Sequence, residues 1–252
     1  MYGNQDMIQE RGIVLDELWN TFVPMIVNRR RWGRFVQQPI RASKSIILEF
    51  YATMIPDVFK KGGLVSVKGR QVDISVKSIN EYFRLEDVNH MSGHTDDPVL
   101  TLYNEELVKD LRRSGKGSWL SSRAVLIKEE LHFDAAFWKK FCLYSLFSKS
   151  SNSMLILDMA YVLYSICHNL PINFGYIIRQ QIAVTGYCGV GRCGFPSLIT
   201  HFCVAAGIHV YAGHEILLDP SPLLDRHMYN QLASEHHEPE LFPYDSDYTR
   251  QV

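Results

Sequence analysis

Between residues 134 and 207, apolar residues recur at helical spacing in three or four consecutive segments. The middle segment, 153–169, is apolar almost all the way round, the pattern of a helix at the centre of a bundle. Its polar residues Asp158, Ser165 and Asn169 fall close to one line along it. A solvent seam, a water-lined groove and a site all fit that stripe. Asp134 is placed to cap the preceding helix, with Phe137, Trp138, Phe141, Cys142 and Ser145 at helical spacing. Pro171 opens the next helix, and Pro196 begins a last one that Gly207 stops.

The front of the chain is patterned differently. Residues 13–27 are amphipathic but interrupted at Pro24, and Ser43 or Ser45 caps a helix with Ile46, Ile47, Phe50, Tyr51 and Met54 on its apolar face. Residues 64–75 alternate apolar and polar on both sides of Lys68-Gly69-Arg70, a β-hairpin signal in which Val65 and Val67 share a face, as do Val72 and Ile74. Ser75 or Ser78 then starts a short helix ending near Phe83, and another runs from Asn104 to about Arg113. Residues 84–103 lack periodicity and read as a loop. The expected fold is mainly α, about seven or eight helices in a globular bundle, with one small hairpin. Residues 1–28 form an N-terminal extension, 29–218 one helical domain, and 219–252 a flexible acidic tail. The core should include Phe50, Tyr51, Trp138, Phe141, Leu155, Met159, Leu163, Ile166, Ile178, Phe195, Leu198 and Phe202.

Composition is that of an ordinary soluble protein, and no apolar stretch reaches the roughly 20 residues of a membrane span. Charges near the N-terminus occupy the place of a signal peptide's apolar run, so a nuclear or cytoplasmic location is expected. Five cysteines in or beside apolar segments read as buried thiols rather than a disulfide framework. Net charge is −1, but unevenly spread. Residues 29–84 hold twelve Lys and Arg against four acids, a local +8, whereas 219–252 hold seven acids and two bases, a local −5. An anionic partner for the front is one consequence. The tail folding back over the front is another.

The sharpest charge cluster is Arg29, Arg30, Arg31 and Arg34, interleaved with Trp32 and Phe35. Arginine with exposed rings suits nucleic acid, charge for phosphate and rings for stacking. The competing reading turns both rings inward and leaves the arginines solvated. Lys68 and Arg70 flank the hairpin tip, a second place for phosphate contacts. Other motifs fall short of their chemistry. Gly115-Lys116-Gly117-Ser118 lacks the strand and upstream glycine of a phosphate loop, and the glycine-rich turn at 188–194 lacks dinucleotide order. Cys188 and Cys193 lack the spacing and matching pair of a zinc site, and His90, His94, Asp96 and Asp97 share one loop. Nothing in the chain calls for a cofactor.

Three stretches together carry a family resemblance. They are Glu49-Phe50-Tyr51-Ala52 after the arginine tract, Val67-Lys68-Gly69-Arg70 with Ile79-Asn80, and Phe195-Pro196 with Leu198-Ile199-Thr200 and Cys203. Over about residues 29–208 the chain resembles the plant transposon protein domain, a module of retroelement-rich plant genomes. It departs in reading Arg-Trp-Gly where the family has Arg-Gly-Trp, and in Ile74 where the family favours phenylalanine. The resemblance implies a link to mobile elements and brings no catalytic motif with it.

The leading expectation is a non-enzymatic, retroelement-derived binding module. It would contact nucleic acid or an acidic protein surface through residues 29–84, using Arg29, Arg30, Arg31, Trp32, Arg34, Lys68 and Arg70. A gag-like interaction scaffold or homo-oligomer is the alternative. A metal-dependent transposase or nuclease ranks lower, because Glu49, Asp73, Glu81, Asp134 and Asp158 do not sit on successive strands that would converge them. A cysteine hydrolase using Cys167 or Cys203 with His168 or His201 would need partners that face each other, which sequence neighbours on one helix do not.

Overall fold

The structure, a computed structural model, describes residues 7–37, 39–54, 63–86, 88, 104–113, 126–127, 130–149, 154–155, 157–188, 192–210, 216–219 and 224–236. Three helices begin where a short polar side chain takes a free N–H group of the first turn. Thr21 opens α1 (Phe22–Arg29), its Oγ1 accepting from the Val23 N–H at 3.2 Å. Ser43 opens α2 (Lys44–Thr53) and Ser75 opens α3 (Val76–Phe83), each hydroxyl accepting from the N–H three residues on. Pro24 does not interrupt anything. It sits in the first turn of α1, where a missing N–H has no intrahelical acceptor to lose.

Six more described helices follow: α4 (Asn104–Leu111), α5 (Phe133–Ser145), α6 (Leu157–Cys167), α7 (Phe174–Cys188), α8 (Pro196–Ala205) and α9 (Arg226–Glu235). The protein is mainly α with small sheets. Strands β1 (Met7–Ile8) and β2 (Ala42–Ser43) precede the hairpin of β3 (Leu64–Val67) and β4 (Arg70–Asp73); β5 (Leu126–Ile127), β6 (Met154–Leu155), β7 (Cys193–Gly194) and β8 (Leu217–Leu218) follow. The hairpin register pairs Val65 with Val72, and Val65, Val67, Val72 and Ile74 are all fully buried, as the alternation predicts. Three two-residue ladders are additional: β1 with β7, β2 with β8, and β5 with β6. Such pairs are too short to leave a period in the sequence. The last of them consumes Met154 and Leu155, so α6 starts at Leu157 rather than at 153. No described helix is long and apolar enough to cross a membrane.

The chain divides into two compact units. The first comprises Met1–Asp87, Tyr144–Ser150 and Phe174–Asp225. Here α8 packs on α2 and β2, with the Ser43 N–H donating to Thr200 Oγ1 at 3.0 Å and the Tyr51 hydroxyl to the Gly194 carbonyl at 2.9 Å. Residues ahead of α1 are bonded into this unit, the Ile13 N–H reaching the Val36 carbonyl at 2.8 Å. Helix α3 lies against α7 at Gly175, near the start of α7, where that helix has no side chain. The Gly175 N–H donates to Asn80 Oδ1 at 2.9 Å, and a Cβ there would meet the Val76 carbonyl oxygen at 2.7 Å.

The second unit comprises Val88–Leu143, Ser151–Asn173 and Arg226–Val252. Helix α4 packs on α6, and Trp138 and Phe141 of α5 and Met159, Leu163 and Ile166 of α6 are buried. The segment that composition marks as an acidic tail contains α9, whose Tyr229 ring meets Phe133 at 5.0 Å and whose Leu232 is buried. Tyr229 and Leu232 lie at helical spacing, and their polar surroundings hide that pattern. The expected core residues whose burial is described are buried, except Phe202, which is half-exposed. The α6 stripe does not run on as expected. Ser165 is buried, and Asn169 lies beyond the helix end with φ +54°.

Candidate functional site

The arginine tract sits where α1 ends. The Trp32 N–H returns to the Val27 carbonyl at 2.9 Å and the Arg31 N–H to Asn28 at 3.1 Å, nested bonds that close a helix through one left-handed residue. That residue is Arg31, with φ +56°. Helix α3 ends in the same way. The Leu85 N–H reaches the Asn80 carbonyl at 2.9 Å, the Arg84 N–H reaches Glu81 at 3.1 Å, and Arg84 has φ +56°. Glycine is the usual occupant, because the left-handed conformation costs a residue with a Cβ roughly 1–2 kcal/mol.

Both arginines line one open groove of about 420 Å³, together with Arg34, Asn28 and Gln37. Among the described residues no carboxylate lines it, and neither Arg31 nor Arg84 is ion-paired. Arg34 spreads over the Tyr82 ring, 4.9 Å from its centroid. Three cations with two amides and no described counter-charge can accept an anion. Arg29 is exposed in the last turn of α1, and the Arg30 guanidinium lies 4.8 Å from the Trp32 ring centroid.

Trp32 itself is a correction. Its indole is 5 % exposed and packs against Phe174 at 4.9 Å, so it presents no face to a base. Phe35 stacks on the same Phe174 at 4.5 Å and 19°. Burying each ring is worth roughly 2–3 kcal/mol in every molecule at all times. A stacking contact would reward exposure only when ligand is bound, so burial wins.

Next to the groove lies a second cavity of about 290 Å³ that shares Arg34 and Gln37 with it. Phe35, Ile40, Phe83, Phe195 and Leu198 give it apolar walls, and Glu10, Ser145, Ser197 and His201 add polar groups. Glu10 reaches in from the segment before α1. Its carboxylate accepts from the N–H groups of Ser197 (3.2 Å) and Leu198 (2.9 Å), capping α8, whose own N-cap residue Phe195 has no side chain able to do so. Burial raises the Glu10 pKa against the lowering effect of those amides. His201 stacks on Tyr82 at 4.2 Å, and burial followed by the Arg34 charge lowers its pKa, so the imidazole is neutral at neutral pH. Sequence reasoning missed Arg84, Tyr82, Glu10 and His201 as members of one site. No local signal joins them.

The remaining candidates lie elsewhere. Lys68 (φ +45°) and Gly69 (φ +72°) form the tight hairpin turn, and the Lys68 N–H donates to Glu49 Oε1 at 2.6 Å. The Lys68 and Arg70 side chains are exposed and line neither cavity. The carboxylates weighed for metal chemistry have other work. Asp73 accepts from Ser75 and Ser78, whose hydrogen bonds outweigh burial and lower its pKa, and Glu81 pairs with Lys77 at 3.8 Å. Burial pushes the Cys203 thiol up to about 12 and Cys193 up to about 11, the reverse of nucleophile activation. His90, His94, Asp96, Asp97 and the 115–118 turn lie outside the described residues.

No curated protein and no solved structure matches the chain. The model of one family does, that of the "Putative plant retrotransposon-related domain", over residues 28–209. That span runs from the arginine tract through the hairpin and α8, the same three stretches that carry the resemblance, and it covers most of the chain. The chain therefore belongs to this plant retrotransposon-related family.

Proposed function

We propose that the domain is a non-enzymatic nucleic-acid-binding module whose phosphate contacts are made by Arg31, Arg34 and Arg84. The observation that carries this reading is the convergence of these three arginines on one groove that no described carboxylate lines. The family's retrotransposon link supports nucleic acid over an acidic protein as the anion. Arg29, Lys68 and Arg70, exposed on the same unit, add to the attraction without shaping the site.

The test is a salt titration of binding to single- and double-stranded oligonucleotides. Each phosphate neutralised steepens the dependence of log K on log salt by roughly 0.7–0.9. The R31A/R84A variant should lose about two phosphate contacts' worth of slope, and K68A/R70A should lose less. Absence of binding at low salt overturns the proposal.

A further inference from the structure

We infer that the cavity beside the groove receives one unpaired base, while the groove holds that nucleotide's phosphate. The inference rests on the proposed nucleic-acid reading and adds to it the form of the ligand. Three observations carry it. The two concavities are neighbours, because Arg34 and Gln37 line both. A ligand with its anionic part on Arg31 and Arg84 would have Arg34 and Gln37 between it and the cavity. The cavity's chemistry then matches a base. Tyr82 and Phe83 are the part-exposed aromatic residues of its lining, and Ser197 and neutral His201 supply hydrogen-bonding groups. The Glu10 carboxylate is engaged by the Ser197 and Leu198 amides, its own amide and the Ser197 side chain, so it holds the end of α8 beside the cavity.

Size is the third. At about 290 Å³ the cavity lies at the lower end of ligand pockets, suited to one flat ring system. A base in an intact duplex cannot enter without leaving its stack. The site thus favours single strands, bulges or ends. This is how sequence-tolerant single-strand binders combine a basic track with aromatic contacts.

The experiment compares the full chain's affinity for a single-stranded oligonucleotide with that for an abasic oligomer of the same length and phosphate count. We expect the base-bearing strand to bind about 10-fold more tightly, the effect of roughly one base contact. In F83L the ratio should fall towards one, with a thermal melt reporting that the variant is folded. Equal affinity of the native chain for both strands overturns the base pocket and leaves the phosphate groove standing. A 10-fold ratio that survives in folded F83L also overturns it. Failure of both strands to bind at low salt strikes the underlying reading instead.

Discussion

Four of the described helices end through the same pair of nested backbone bonds, and they differ in the residue at the left-handed position. At the end of α8 it is Gly207 (φ +83°), with the Ile208 N–H on Cys203 and the Gly207 N–H on Val204. At the end of α6 it is Asn169 (φ +54°), with the Leu170 N–H on Ser165. Glycine and asparagine are the residues that tolerate this conformation best. At the ends of α1 and α3 it is Arg31 and Arg84, and both line one groove. The backbone requirement is common to all four, so the arginines are not there for the turn. Two strained positions that aim charge into one concavity mark a place where the side chain matters more than local stability. The second unit uses its arginines differently: Arg112 pairs with Glu130, and Arg113 donates to the His236 carbonyl at 3.0 Å.

The comparison can be broken at its support. The Gly175→Ala substitution would push α3 off α7 and displace Arg84 with it, because the new methyl collides with Val76 and Asn80. A loss of about 3 kcal/mol in urea unfolding, the upper range for overpacking, is expected together with weaker oligonucleotide binding. A smaller effect follows from making an ordinary helix end resemble the arginine ones. The Gly207→Arg substitution meets no steric obstacle, since nothing lies within 4 Å of a Cβ there, so its cost is the backbone strain alone. About 1 kcal/mol of stability should be lost, with no base-dependent gain in binding. The smallest effect is the reverse exchange. R31G and R84G should each raise stability by about 0.5 kcal/mol, the strain relieved less the added freedom of glycine when unfolded. Each should also weaken binding and its salt dependence. A stability loss in both would mean that the arginines support the fold, and the contrast among the four ends would lose its meaning.

Much of this architecture was determined by sequence alone, because the forces involved act over a few residues. Caps at Ser43 and Ser75, the Lys68-Gly69 turn and the valine alternation act within one turn or one hairpin. Family membership follows from the same short stretches. The site was decided only by tertiary structure. Arg31 and Arg84 are distant in sequence, and the packing of α3 on α7 at Gly175 helps seat the end of α3 that carries Arg84 at the groove. Glu10 becomes a cap because β1 pairs with β7 ahead of α8. Trp32 and Phe35 look like a binding strip when read as neighbours of arginine. They become core once Phe174 is packed against them, since burial of large rings outweighs any local preference for exposure.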